Sequence, residues 1–334
     1  MTDSQPGTEK APTIYDVARL AGVAPSTVSR AFARPGRVSL ATTAKVREAA
    51  AALGYRREPV TSALSQVPTR LIAMVVADIG NAVFTEVIRG AEMEAEEAGY
   101  TLLVIDARES STREARVAET FLEAVEGIIL TSPRMPPAGI LGIAKHRPVV
   151  VLNRVVEGLA CVLTNGARGA AVSAEHLVDL GHDEITYVAG PEASWADGER
   201  WRGLVAASDS LGVRVRRLGP NVPTFGGGAR AAKRWMDQRT PGVIAFNDMI
   251  AIGFMRALRQ EGVDVPGEVG VIGFDNSREA MLVEPGLTSV ASPLTLQGST
   301  AIKNLLALIR GAAPPEKPLY LPVKLIKRGS TVQG

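Results

Sequence analysis

Beyond Pro68, short apolar segments alternate with longer amphipathic ones, and this alternation limits the possible folds more than any other feature. The apolar segments have the length of strands, and the amphipathic ones have helical period. Strands that alternate with helices form parallel sheets covered by helices. The predicted strands are 71–77, 101–105, 127–130, 149–152, 185–189, 242–246 and 269–273, and the predicted helices are 84–98, 167–180, 199–211 and 249–261. We expect two α/β halves, with the chain crossing near Asn165 and returning near Pro293.

Polar side chains follow the predicted strands at their carboxyl ends, where folds of this class bind ligands. Carboxylates, amides and a guanidinium suit a polyhydroxylated ligand, because each sugar hydroxyl both donates and accepts hydrogen bonds. An aromatic ring nearby can stack on the apolar face of a sugar. The candidates for such a site are Asp78, Asn81, Phe84, Asn153, Trp195, Arg200, Phe225, Asp248 and Asp275.

Each of these candidates also has a simpler explanation. Asp and Asn at strand ends are common helix caps, and Asp248 is placed to cap the helix 249–261. Arg200 is predicted to open the helix that follows the loop 190–195, and Trp195 suits a core position equally well. By themselves, these residues favour capping over ligand binding.

Three short helices are predicted near the N-terminus. Thr13 caps the first helix and Gly22 ends it, Pro25 suits the first position of the second, and Ser39 and Gly54 bound the third. Two helices joined by a tight turn and closed by a third form helix-turn-helix geometry. An ordinary helical bundle with a solvated face remains the alternative. The residues predicted to face its core are Val17, Leu20, Ala21, Val28, Phe32, Val46, Ala49, Ala50 and Leu53.

The charge of the chain is divided unevenly. Residues 1–66 carry nine Lys or Arg and five Asp or Glu, a net of +4, whereas the remainder carries 28 basic and 30 acidic residues, a net of −2. A basic head on a slightly acidic body suggests that only the head meets a polyanion such as DNA.

Several functional classes lack support in the sequence. No apolar run has the ~18 residues of a membrane span, and residues 1–12 do not form a signal sequence, so we expect a cytoplasmic protein. The single cysteine, Cys161, fits a reducing compartment. We find no nucleophile–base pair, no histidines at metal-ligand spacing and no phosphate-binding loop, and therefore expect no catalytic residues, metal or cofactor.

The N-terminal motifs carry a specific resemblance. Residues 13–23 read TIYDVARLAGV, residues 26–30 read STVSR, and Leu53-Gly54-Tyr55 follows the third helix. Together these segments resemble the headpiece of the lactose repressor (LacI) family, and the resemblance continues to about residue 328. It implies a helix-turn-helix head joined to a two-part α/β core like that of periplasmic sugar-binding proteins.

The resemblance also implies roles for residues of the head. It assigns base selection to Pro25, Ser26 and Arg30, and contacts with the DNA backbone to Tyr15, Thr27 and Ser29. Leu64 matches a hinge leucine that opens a base step from the minor groove, as apolar wedges do. In the core, Arg200 and Asp248 match effector positions of the family.

The expected protein is therefore a homodimeric transcriptional repressor that binds a pseudo-palindromic operator on double-stranded DNA and responds to a sugar-like effector. The expected boundaries are a headpiece at 12–57, a hinge at 58–67 and a sensor at 68–334, whose halves are 68–165 with 293–325, and 166–292. A solute-binding protein explains the core but not the basic head. A sugar-modifying enzyme with an appended DNA-binding domain is the third hypothesis, and turnover of a candidate sugar would revive it.

Overall fold

The computed structural model describes residues 13–33, 38–53 and 68–332, in two compact units, Met1–Val67 and Pro68–Gly334. The predicted hinge at 58–67, including Leu64, lies outside the described residues. Across the described ranges, no helix has both the length and the apolar character needed to cross a bilayer.

The N-terminal unit contains the three predicted helices, α1 (Ile14–Ala21), α2 (Pro25–Ala33) and α3 (Leu40–Ala52). Thr13 precedes α1, with its backbone N–H and hydroxyl both donating to Asp16 Oδ2, at 2.9 and 2.6 Å. Gly22 ends α1 with φ of 65°, a left-handed conformation that glycine adopts without steric cost. The buried core comprises Val17, Ala18, Val28, Ala31, Val46, Ala49 and Ala50. The prediction for Leu20 was wrong: its position on α1 leaves the side chain 56% exposed.

The second unit is an α/β structure with two sheets. Its elements in chain order are β1 (Leu71–Val76), α4 (Val83–Glu97), β2 (Thr101–Asp106), α5 (Ser111–Phe121), β3 (Gly127–Thr131), α6 (Pro137–Ala144), β4 (Val149–Leu152), β5 (Ala160–Thr164), α7 (Gly166–Asp179), β6 (Glu184–Val188), α8 (Trp195–Leu211), β7 (Arg214–Leu218), α9 (Phe225–Trp235), β8 (Gly242–Ala245), α10 (Asp248–Gln260), β9 (Gly270–Phe274), α11 (Glu279–Leu282), β10 (Thr288–Ala291), α12 (Leu294–Ile309), β11 (Leu319–Leu321) and β12 (Lys324–Ile326).

Each sheet has six strands. The first has the order β11-β5-β4-β3-β1-β2 and is entirely parallel, and the second has the order β12-β10-β9-β8-β6-β7, in which β12 is antiparallel to β10. The chain leaves the first sheet at Asn165, returns at Pro293 and crosses again after β11. Because β12 pairs with β10, residues 324–325 belong to the second sheet, whereas the predicted boundary placed them with the first.

The continuous apolar run of β1 is explained by burial on both faces of the sheet. Ile72, Met74 and Val76 pack into one core cluster, and Ala73 and Val75 pack into another on the opposite face. Successive side chains of a strand point to opposite faces, and helices cover both faces of a parallel sheet. The second sheet has the same arrangement, with its own two clusters.

Two helix predictions differ from the structure. Helix α8 begins at Trp195, four residues before its predicted start, because the Ser194 hydroxyl caps it by accepting from the Asp197 amide at 3.3 Å. Arg200 therefore lies in the second turn of the helix rather than at its opening. The segment Gly226–Gly228, for which the sequence predicted no helix, lies in the first turn of α9, and a Cβ at Gly228 would overlap the Ile250 carbonyl oxygen of α10.

Candidate functional site

A narrow cleft lies between the two sheets, at the carboxyl ends of their strands. The residues lining it are Asn81, Val83, Phe84, Glu109, Ser132, Arg134, Asn153, Thr164, Ser194, Ala196, Arg200, Pro223, Phe246, Asn247, Asp275, Ser292, Leu294 and Gln297. Its volume is about 50 Å³. A cavity of that size holds a few water molecules, so entry of a sugar ring requires the two walls to separate.

On the second-half wall, Arg200 is held in a fixed position. Its guanidinium lies over two aromatic rings, 4.8 Å from the centroid of Phe246 and 4.1 Å from that of Phe274. It donates a hydrogen bond to the Phe246 carbonyl oxygen and approaches Asp275 Oδ1 at 3.7 Å. Stacking on aromatic faces immobilises an arginine without consuming its N–H donors. The residue thus presents an oriented positive charge beside a carboxyl group.

Asp275 lies close to a second buried carboxyl group, that of Asp248. Asp248 accepts hydrogen bonds from the Ser277 amide at 2.7 Å and the Ser289 hydroxyl at 2.6 Å. Burial, together with the nearby Asp275 carboxyl, raises the pKa of Asp248 to about 8. Burial also raises the pKa of Asp275, whereas the Arg200 guanidinium lowers it. The two carboxyl groups are therefore not both ionised at neutral pH, because two close negative charges in a buried site repel each other.

The first-half wall is built from residues that follow β3 and β4. Ser132 and Asn153 have φ of 52° and 56°, and Asp275 on the opposite wall has φ of 105°. Positive φ is costly for residues with a side chain and tends to occur at functional sites. The Asn153 amide nitrogen donates to the Ser132 hydroxyl at 3.1 Å, and its oxygen accepts from Gln297 Nε2 at 2.8 Å.

A buried charged cluster supports that wall. The Arg134 guanidinium donates to both oxygens of Glu109, at 2.6 and 3.0 Å. Behind it, the Glu114 carboxylate is 2% exposed and accepts from the amides of Arg134 and Met135, at 2.8 and 2.9 Å. Arg154 donates to the Met135 carbonyl oxygen at 2.7 Å. The loop after β3 is therefore held by both its amides and its carbonyls, which keeps the wall rigid.

Three buried polar atoms of cleft-lining residues have no hydrogen-bond partner among the described residues: Arg200 Nε, Asn247 Nδ2 and Gln297 Oε1. Two of them are donors and the third is an acceptor. The orientation of the Asn247 amide is fixed, because its oxygen caps α10 by accepting from the Ile250 amide at 3.0 Å. Buried polar groups are nearly always paired in folded proteins, so three unpaired ones around one cleft make it the candidate binding site.

In the N-terminal unit, α2 carries an exposed polar surface. Pro25, Ser26, Ser29 and Arg30 are exposed, and Thr27 is half-buried. Arg30 folds back along its own helix, with Nε donating to the Ser26 carbonyl oxygen at 3.0 Å. Tyr15, on α1, is 66% exposed. These six side chains are at least partly exposed on the surface of the unit, whereas Val17, Val28 and Val46 belong to its buried core.

Comparison with known proteins agrees with this architecture. Residues 13–58 match the bacterial regulatory proteins of the lacI family, and residues 174–331 match the periplasmic binding protein-like domain. The HTH-type transcriptional repressor CytR of Escherichia coli (strain K12) is 30% identical over 331 residues, which cover 97% of each chain. The chain belongs to the LacI family of bacterial regulatory proteins. The sequence motifs of the head, TIYDVARLAGV and STVSR, lie within the matched region.

Two solved structures resemble this LacI-family protein over their whole length. The complex of the transcriptional regulator CelR with cellobiose is 27% identical, with a TM-score of 0.72, and covers 96% of this chain and 99% of its own. The LacI family transcriptional regulator from Enterococcus faecium with bound ribose is 29% identical, with a TM-score of 0.69, and covers 78% of this chain and 98% of its own. The predicted fold class is confirmed.

The structure brings five of the nine candidate residues of this LacI-family protein to the cleft: Asn81, Phe84, Asn153, Arg200 and Asp275. The other four do not line it. Asp78 accepts from the Gly80 amide of its own turn at 2.9 Å, and Trp195 packs against the first-half core. Phe225 lines a separate groove, and Asp248 is buried beneath Asp275, 1% exposed.

Several lining residues of the LacI-family protein were missed. Ser132 and Arg134 directly follow β3, so the strand-end argument applied to Asp78 and Asn153 would also have found them. Gln297 lies in the first turn of α12, and nothing in its local sequence distinguishes it from a core position. Its proximity to Asn153, 144 residues earlier in the chain, exists only in the folded protein.

The buried carboxyl pair leads to a prediction for Asp248→Asn. A folded-state pKa above the unfolded value of 3.8 means that unfolding releases a proton, so the free energy of unfolding falls as pH rises from about 4 to about 8. Asparagine does not titrate and resembles the neutral acid. We expect the stability of the variant relative to wild type to increase by at least about 1 kcal/mol from pH 5 to pH 8, measured by denaturant unfolding. A difference that is constant with pH would show that Asp248 is ionised in the folded protein.

Proposed function

We propose that this chain is a sequence-specific DNA-binding transcriptional repressor whose operator affinity is set by a small sugar bound in the cleft. The effector proposal rests on three buried cleft atoms without a partner among the described residues. Two are donors, Arg200 Nε and Asn247 Nδ2, and one is an acceptor, Gln297 Oε1. A sugar supplies both kinds of hydrogen-bonding partner, and the rings of Phe84 and Phe246 lie among the lining residues for its apolar face. The cellobiose and ribose complexes of the two similar proteins support this class of ligand.

The DNA proposal rests on α2, whose exposed residues include Ser26 and Arg30. A recognition helix lies in the major groove with its N-terminal residues at base edges, and an arginine can bind guanine through two hydrogen bonds. Tyr15, Thr27 and Ser29 are proposed to hold the DNA backbone, and Leu64 to open a base step. The domain boundaries proposed for this function are 12–57, 58–67 and 68–334.

The proposed mechanism is a shift between two arrangements of the halves. The closed cleft does not admit a sugar ring, so the effector must favour an arrangement with different wall spacing. In a homodimer on a two-fold operator, that arrangement would determine whether the two hinge segments fold on DNA. Coupling is reciprocal: the operator changes effector affinity by the same factor as the effector changes operator affinity.

An apolar groove on the second half supports the homodimer. Its volume is about 1170 Å³, and it is lined by Phe225, Ile252, Met255, Val283 and Pro285 among others. Phe225 is 42% exposed, and the neighbouring α11 leaves Leu282 83% exposed. An exposed apolar surface of this kind marks an interaction site, and we propose a second copy of the chain as its occupant.

We further propose a cytoplasmic location and no enzymatic activity.

Selection of bound sequences from a random DNA pool, with and without a sugar panel, tests the function. The expected result is enrichment of a pseudo-palindrome that is lost or gained with one sugar. No enrichment at moderate salt, with the protein folded, would contradict the DNA-binding proposal. Turnover of a panel sugar would instead favour an enzyme.

A substitution in α2 gives a sharper prediction. We expect Arg30→Ala to lower affinity for the selected operator by about 10-fold or more, because a two-bond contact to guanine contributes on the order of 1–3 kcal/mol of base discrimination. Arg19→Ala, which removes the same charge from α1, should weaken binding to operator and random DNA equally. Fluorescence anisotropy on both DNAs measures the ratio, and an unchanged ratio for Arg30→Ala would remove Arg30 from base recognition.

A further inference from the structure

The cleft contains a glutamine whose carbonyl oxygen has been left without a partner. Gln297, in the first turn of α12, is 0% exposed. Its Nε2 donates to Asn153 Oδ1 at 2.8 Å and to the Val162 carbonyl oxygen at 3.2 Å. Among the described residues, nothing donates to its Oε1.

The direction of this side-chain amide is determined by its surroundings. A backbone carbonyl can only accept, so the end of Gln297 that meets the Val162 carbonyl oxygen must be the nitrogen. The Asn153 amide agrees, because its nitrogen is directed to the Ser132 hydroxyl at 3.1 Å and its oxygen to Gln297. If the oxygen and nitrogen of the Gln297 amide were exchanged, its oxygen would face two other acceptors, Asn153 Oδ1 and the Val162 carbonyl oxygen. Its oxygen is therefore the atom left for the cleft.

The nitrogen of this amide serves the fold, whereas its unpaired oxygen costs stability. A buried amide oxygen without a donor loses its hydration and receives nothing in return. A methionine of similar length would cover the same strands without that penalty. A local choice that opposes folding marks a position shaped by ligand binding.

We propose that Gln297 Oε1 accepts a hydrogen bond from one hydroxyl of the effector and thereby makes the site reject sugars that lack it. The proposal rests on the sugar-responsive function proposed above. Of the three unpartnered cleft atoms, Arg200 Nε and Asn247 Nδ2 require an acceptor on the ligand, and only Gln297 requires a donor. The ligand group that meets Gln297 is therefore a hydrogen-bond donor, which in a sugar is a hydroxyl, since a phosphate or carboxylate oxygen brings no proton at neutral pH and would face another acceptor.

The test compares Gln297→Met with Asn304→Met, a matched substitution on the same helix. Asn304 is half-buried, its amide donates to the Thr300 carbonyl oxygen at 3.0 Å, and it does not line the cleft. Titration calorimetry on the full chain uses D-ribose, D-xylulose, D-galactose and cellobiose, together with the monodeoxy analogues of every sugar that binds wild type. On wild type, we expect one deoxy analogue to bind about 10-fold or more weakly than its parent, because it leaves a buried polar group unpaired.

The affinity of Gln297→Met for the parent sugar should be lower than that of wild type by a similar factor, so that the parent binds no better than that deoxy analogue. Asn304→Met should bind both sugars as wild type does. Equal parent affinity for wild type and Gln297→Met, or the same deoxy penalty on both, would overturn the assignment while leaving the proposed function intact. If no sugar of the panel binds wild type, the proposed effector class is wrong and the role of Gln297 falls with it.

Ligand-free thermal unfolding separates this role from a structural one. Gln297→Met loses the bonds to Asn153 and to the Val162 carbonyl oxygen, which still accepts from the Asn153 backbone amide at 3.2 Å, but also removes the unpaired oxygen, so its midpoint should lie within about 2 °C of wild type. A larger fall, with Asn304→Met unchanged, would show that Gln297 serves the fold and would overturn the proposal.

Discussion

Gly298→Ala is expected to lower the free energy of unfolding by about 3 kcal/mol, although the same substitution in an exposed helix normally stabilises by about 1 kcal/mol. Gly298 lies where α12 packs against α4, and a Cβ there would overlap the Val87 carbonyl oxygen. The contact is reciprocal, since a Cβ at Gly90 of α4 would overlap the Thr295 carbonyl oxygen of α12. The obstructing atoms belong to backbone, so no side-chain rotation relieves the overlap.

Gly142→Ala is the matched control. Gly142 also lies inside a helix, α6, and a Cβ there would meet nothing within 4 Å. We expect it to be neutral or to stabilise by up to about 1 kcal/mol. Denaturant unfolding of both variants measures the contrast. If Gly298→Ala were as stable as Gly142→Ala, the close approach of α4 and α12 would not exist in solution.

Arg200→Met is expected to abolish effector binding and to destabilise the folded chain by about 3 kcal/mol at pH 8. Methionine can occupy the space between the Phe246 and Phe274 rings but supplies neither the Nε donor nor the charge beside Asp275. Removing one partner of a buried ion pair leaves the other charge without compensation. Loss of binding by at least about 100-fold follows from losing a charged hydrogen-bond donor in a buried site.

The pH dependence of this variant gives the sign of the electrostatic effect. Arg200 lowers the pKa of Asp275, so its removal raises that pKa further above the unfolded value of 3.8. Because the pKa of Asp275 is higher in the folded than in the unfolded chain, the free energy of unfolding falls as pH rises from about 4 to the folded-state pKa. In the variant, this fall continues to a higher pH. The destabilisation relative to wild type should therefore be smaller at pH 5 than at pH 8.

Arg202→Met on the same helix provides the comparison. Its side chain is 63% exposed and pairs with Glu199, so we expect a change within about 0.5 kcal/mol at both pH values. Chemical denaturation at pH 5 and pH 8 measures both variants. A destabilisation by Arg200→Met that is independent of pH would show that its contribution is packing rather than charge.

Much of the fold follows from local sequence alone. The apolar strands and the amphipathic helices predicted a parallel α/β architecture because burial on both faces of a sheet requires continuous apolar runs such as 71–76. The three helices of the head follow from caps and breakers such as Thr13, Gly22 and Pro25, which act within a few residues. The strand-end argument also located Asn153 and Asp275, because carboxyl ends of parallel strands share one edge.

Other features depended on contacts between distant segments. The first turn of helix α9 contains three consecutive glycines, which oppose helix formation locally, and its close packing against α10 requires one of them, Gly228. Asp248 was a candidate because it follows a strand, but the fold buries it beneath Asp275 and leaves the cleft to Asn247. Gln297 became part of the site only because the chain returns from the second sheet and places α12 against residues 153 and 162. Sequence patterns record which faces are buried, whereas the three-dimensional packing decides which polar atoms in those faces find partners.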